Sequence, residues 1–180
     1  MNVKTTFPLA LLFVFWSSAA ADTSDKSTPT EQALGLETKY EMAKEAAKPD
    51  LLNAFEDLAQ ANPENADIIS RFVRLLYSHG DYSKAIAYLE PLNSTAPSSS
   101  LMLQECMLKD RVGKKEEGCY QRVLGLPDGE LMDHMMALYF TDEAKFHARK
   151  AHLLKLHPEL KSDFAIFEQD KLNILRSLYP

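Results

Sequence analysis

Between Pro63 and Pro97 the sequence states one apolar pattern twice around a single break. Ile69, Phe72, Val73 and Leu76 recur at the spacing of one helix face, His79-Gly80-Asp81 interrupts the run, and Tyr82, Ala85, Ile86 and Leu89 resume it. This predicts two helices joined by a tight turn, because Gly enters the left-handed backbone region where a helix stops. The bounding prolines lie 34 residues apart, a period at which helical hairpins stack. One such hairpin cannot bury its apolar face alone, so the rest of the chain must supply neighbours. Composition agrees: 26 Leu and 20 Ala stand against 5 Val and 5 Ile, which favours helices over strands and an all-α fold.

The net charge of −6 and a hydrophobic fraction of 46% are those of a compact globule. They exclude a disordered acidic tail and give no basic surface of the kind that binds nucleic acid. Residues 1–21 read as a signal peptide, with Lys4, an apolar run from Phe7 to Trp16, and the small residues Ala19, Ala20 and Ala21 before a cleavage point. The apolar stretch Phe7–Ala21 has 15 residues, short of the roughly 18 needed to span a bilayer. No membrane span is expected after cleavage, and the location expected is periplasmic or secreted. Residues 22–30 lack apolar periodicity and read as a flexible linker, with the folded part beginning near Glu31.

Cys106 and Cys119 are the only cysteines. In an exported chain an even pair is read first as a disulfide. The turn expected at Arg111–Lys114 is centred midway between them, so an antiparallel hairpin would set them side by side. Two separately buried free thiols are the other reading. Pro49, Pro63, Pro97, Pro127 and Pro158 fall near expected helix starts, and Asn62, Ser98–Ser100 and Thr141 are candidate N-caps.

Ile69, Gly80, Asp81, Tyr82, Ala85 and Pro97, with the turn Tyr77-Ser78-His79-Gly80-Asp81-Tyr82, resemble a tetratricopeptide repeat. The resemblance covers residues 31–158 and is strongest over 66–97. It implies an α-solenoid of antiparallel helical hairpins, closed by a capping helix within 159–180. Leu160, Phe164, Phe167, Ile174, Leu175 and Leu178 share one face of a helix drawn from Glu159 to Leu178. One period forward, Cys119 takes the place of Ala85, where paired helices of the family approach most closely, and the resemblance thereby favours the disulfide.

The resemblance also implies a concave groove lined by the first helix of each pair. Its register places Tyr40, Lys44, Ser70, Arg74, Tyr77, Gln104, Leu108 and Arg111 along that groove, suited to a protein or peptide segment held through its backbone, its apolar side chains and a carboxylate. The family's carboxylate-clamp subtype relies on Asn where this chain has Arg74, so chaperone-tail recognition is not implied. A second candidate surface is the basic stripe Lys145, Arg149, His152 and Lys155, an acidic-partner contact or a solvated face.

No motif for catalysis stands out: there is no Gly-x-Ser-x-Gly elbow and no phosphate-binding glycine loop. Glu116 and Glu117 are adjacent and read as solvated charge. His147, His152 and His157 recur every five residues and cannot share a helix face, and no zinc motif accompanies the two cysteines. Met132, His134, Met135 and Met136 form a thioether cluster, read first as core filling and second as a Cu(I) site. Asn93-Ser94-Thr95 fits a glycosylation acceptor. No cofactor and no metal are expected, and no motif sets an oligomeric state. The sequence points to an exported interaction scaffold that helps assemble or regulate an envelope complex. The alternative is a secreted effector or toxin-associated factor.

Overall fold

The computed structural model describes residues 27–127 and 129–180. The expected signal peptide and most of the expected linker lie outside the described residues. Helix α1 (Pro29–Met42) begins before the expected boundary at Glu31, because Thr28 and Glu31 close a capping box that satisfies the first free amides. Pro29 sits in the first turn, where its missing N–H costs nothing.

A 3-10 turn at Glu45–Ala47 leads into α2 (Lys48–Ala61). Then come α3 (Ala66–Ser78), α4 (Tyr82–Thr95), α5 (Ser99–Arg111), α6 (Cys119–Leu124), α7 (Leu131–Thr141) and α8 (Glu143–Leu156). Consecutive helices pack as antiparallel pairs, and the described residues contain no strand. The turn between α3 and α4 uses Gly80 at φ 78°, and the amides of Gly80 and Asp81 cap the end of α3. Ser98 caps α5 as expected. Two other caps differ. Asn65, not Asn62, accepts the first amides of α3, while Asn62 donates back to the Leu58 carbonyl at the end of α2. Asp142, not Thr141, caps α8, since the Thr141 hydroxyl is spent on the Ala137 carbonyl.

The stack closes around Phe55, Phe72, Leu89, Met107, Leu108 and Met135, all fully buried. Phe55 lies parallel to Phe72 and Tyr88 meets Phe72 edge-on, so three helices share one aromatic seam. Cys106 and Cys119 are joined by a disulfide, with Cα atoms 5.7 Å apart, and this fastens the short α6 to α5. No described helix is long and apolar enough to cross a membrane.

The helix expected from Glu159 to Leu178 is instead three pieces. Two 3-10 helices, Pro158–Lys161 and Asp163–Glu168, are followed by α9 (Lys171–Leu178). Gln169 is extended, and the Asp170 side chain accepts the Asn173 amide to start a new helix, so the direction of the chain changes there. Phe164 and Phe167 are buried, and Phe167 packs against Tyr139 and Phe146 of the α7–α8 pair. Beyond that contact the chain crosses the inner face. Lys171 donates to the Phe140 carbonyl at the end of α7, and Tyr139 donates to the Gln169 carbonyl. Ile174 and Leu175 are buried, and α9 packs on α5.

Candidate functional site

The first helices of successive pairs are neighbours, α1 against α3 and α5 against α7, and together they form the inner face of the stack. Between α3, α5 and α7 lies a cavity of about 600 Å³. Ser70, Arg74 and Tyr77 line it from α3, and Gln104 lines it from α5, as the register implied. Its floor is Met107, Met132 and Met136, with Leu101 and Leu103 beside them. Asp67 and Asp133 stand at its rim, and Ile166, Leu178 and Tyr179 close one side.

The other four expected groove residues have different roles. Tyr40 is buried, with its ring edge-on to His79 and under the Lys48 ammonium, so it is packing between pairs. Lys44 lies outside any α-helix, at the start of the 3-10 turn, where it is exposed. Leu108 is fully buried, because α5 is enclosed on most sides and a position one step round the helix faces the core. Arg111 is already occupied: its Nε donates to the Tyr179 carbonyl at 2.9 Å and its guanidinium lies over the Tyr82 ring.

Arg74 is also committed. Glu37, buried on α1, pairs with Arg71 at 2.6 Å and with Arg74. The forked carboxylate recognition expected of Arg74 is therefore turned inward, toward the protein's own Glu37. What remains open in the cavity is neutral or weakly acidic. Neither the Gln104 amide nor the Tyr77 hydroxyl has a hydrogen-bond partner among the described residues, and Asp67 Oδ2 is buried without one. Burial raises the Tyr77 pKa, opposed by the nearby Arg74 charge, so the hydroxyl keeps its proton and can donate. Asp133 is engaged by the Ser99 and Ser100 hydroxyls at 2.6 and 2.8 Å, which tie the start of α5 to α7.

A second polar cluster lies on the opposite side of α5. Lys109, largely buried, reaches Glu105 at 2.7 Å, Glu116 at 2.6 Å and Glu90 at 2.9 Å. Burial works against its charge, but the hydrogen bonds to Glu105, Glu116 and Glu90 outweigh it and raise its pKa. Glu116 is thus not solvated charge as expected. Its hydrogen bonds with Arg122 and Lys109 lower its pKa to about 2. Ligand atoms of Glu105, Glu116 and Cys119 fall within 4.8 Å of one another, but Lys109 and Arg122 already pair with both carboxylates and the Cys119 sulfur is in the disulfide. Asn93 is buried, donating to the Leu101 carbonyl and to Glu105, and is closed to glycosylation in this fold.

Lys145, Arg149, His152 and Lys155 are all exposed on α8, which buries only Phe146. Lys145 pairs with Asp142 at 2.8 Å. Of the thioether cluster, Met135 is core, Met132 and Met136 floor the cavity, and His134 points away toward Gly129.

The sequence missed Asp67, Met107 and Asp133, which flank the implied positions, and it missed the role of Leu178 and Tyr179. Leu178 belongs to the apolar series expected of a capping helix, and Tyr179 follows it without belonging to that series. No curated protein and no solved structure matches the chain. The tetratricopeptide repeat family matches residues 42–104, a stretch that contains α2, α3, α4 and the first half of α5. The repeat is a protein-interaction scaffold and generally not an enzyme. In its helical pairs, its glycine turn and its inner groove, this chain is a tetratricopeptide-repeat-like helical stack.

Proposed function

We propose that this protein is an exported scaffold that holds a segment of a protein partner in its inner groove and thereby helps assemble or regulate an envelope complex. The single observation that carries the binding reading is the cavity on the inner face, where Ser70, Tyr77, Gln104 and Asp67 meet a floor of methionines. A peptide segment offers N–H and C=O groups to the open amide and hydroxyl and to Asp67 Oδ2, whose other oxygen accepts from Arg71, and apolar side chains to the thioethers, which adapt to varied shapes. The disulfide supports export, since such bonds persist in oxidising compartments. Residues 1–21 then act as the signal peptide, most of 22–30 as the linker, and the mature protein works in the periplasm or beyond the cell.

The test is capture of partners from native envelope extract with a photo-crosslinking residue at position 104, compared with the same residue at exposed position 149 of α8. A partner crosslinked at 104 and absent at 149 is the expected result. Crosslinking at 149 alone would move the site to the basic face of α8. A mature protein found in culture medium rather than the envelope fraction would favour the secreted-effector reading.

A further inference from the structure

The inner groove already holds a peptide segment, and that segment belongs to the same chain. From the contact of Lys171 with the Phe140 carbonyl at the end of α7, the α9 segment runs across the carboxyl ends of α5 and α3. Its last contacts are those of a bound ligand. The Tyr179 ring is buried edge-on against Tyr77, with centroids 5.0 Å apart. The Tyr179 carbonyl accepts from Arg111, and the Pro180 carbonyl accepts from the Tyr82 hydroxyl. Leu178 lines the cavity beside Tyr179 and is 39% exposed, so the seat is only partly filled.

Two features separate this arrangement from ordinary capping. Side chains of three elements converge on a short stretch of main chain and one ring: the Tyr77 ring from α3, and the Tyr82 hydroxyl and Arg111 guanidinium at the start of α4 and end of α5. Space of about 600 Å³ also remains next to that stretch, with Gln104, the Tyr77 hydroxyl and Asp67 Oδ2 still unpartnered.

We infer that the groove recognises a segment of a partner chain carrying an aliphatic residue followed by tyrosine, seated where Leu178 and Tyr179 now lie, so that the partner and the α9 segment compete for one place. This rests on the groove being the partner site. Arg111 and Tyr82 take the incoming main chain, Tyr77 takes the ring, and the open groups along the cavity take the residues that precede the pair. A partner offering only acidic side chains gains little, because Arg71 and Arg74 are committed to Glu37.

The probe is a fluorescein-labelled synthetic peptide of residues 169–180, amidated at its end, titrated by anisotropy into the full chain. In Tyr179→Ala the seat is open, and the peptide is expected to bind at least tenfold more tightly than to wild type. Leu178→Asp, at a more exposed position, loosens the seat without removing a buried ring and should act in the same direction. Tyr77→Ala added to Tyr179→Ala should abolish binding, and a probe with Ala in place of its tyrosine should bind at least tenfold more weakly. Circular dichroism confirms folding of each variant. Equal affinity for wild type and both opened variants, equal affinity for the two probes, or no binding to either folded variant would overturn the inference. A partner crosslinked at position 104 that is indifferent to all of these changes would leave the scaffold reading standing and remove only the aliphatic–tyrosine rule.

Discussion

Glu116 illustrates how a single side chain departs from its sequence reading. Beside Glu117 it looks like solvated charge, but folding brings Lys109 from α5 and Arg122 from α6 to it. Its pKa falls from 4.5 to about 2, so the carboxylate is favoured in the folded state. The sign follows from linkage: this contribution is complete above about pH 4.5 and is lost as pH falls toward 2. Glu116→Gln should therefore flatten the decline of stability over that window, as read by urea midpoints at several pH values. The effect should shrink in high salt because the pair is partly exposed. Leu89 gives the corresponding core case: it is fully buried, and Leu89→Ala should cost about 3 kcal/mol by denaturant titration. Tyr40 and Leu108 show why the groove was only half legible. A repeat register fixes which helix faces inward to within one position, and one position turns a side chain by about 100°, enough to move it from groove to core. Arg74 lines the cavity and Arg111 does not, and their partners Glu37 and Tyr179 lie far away in sequence, where no local pattern announces such pairings.

At the scale of elements, α6 is the least self-sufficient helix. Six residues are too few to hold a helix unaided, and Gly118 at φ 81° precedes it without a side-chain cap. The disulfide and the salt bridges of Glu116 and Arg122 anchor it. Reduction should lower stability by about 3 kcal/mol and speed amide exchange chiefly in residues 119–124, which hydrogen-exchange mass spectrometry would localise. Exchange accelerating uniformly along the chain would show instead that the bond acts on the whole stack. The α3–α4 hairpin was legible because its information is local: two apolar series and a glycine. At Gly80 a Cβ would meet open space, yet φ is positive, so Gly80→Ala should cost roughly 1 kcal/mol through backbone strain alone. The break at Gln169–Asp170 was not legible. The apolar positions continue in phase across it, and a cap such as Asp170 competes with helix continuation only once tertiary contacts reward the turn.

For the whole molecule, one consequence of the architecture outweighs the rest: the inner face built from first helices, where we propose that a partner docks, is also where the α9 segment lies. All-helical stacking follows from a 34-residue period and the apolar phases around it, whereas a groove along the first helices is implied only by the resemblance to a tetratricopeptide repeat. Occupation of the groove in cis follows from neither, because it depends on where the chain goes after α8. If partner and α9 share one seat, then binding and protection of α9 are opposed. The direct measurement is hydrogen exchange of residues 171–179 in the wild-type chain, alone and with a saturating excess of the aliphatic–tyrosine peptide. The account predicts slow exchange in the free protein and markedly faster exchange when the peptide is present, with Tyr77 and Gln104 regions becoming more protected or unchanged. Protection of residues 171–179 that stays constant while the peptide is bound would contradict it.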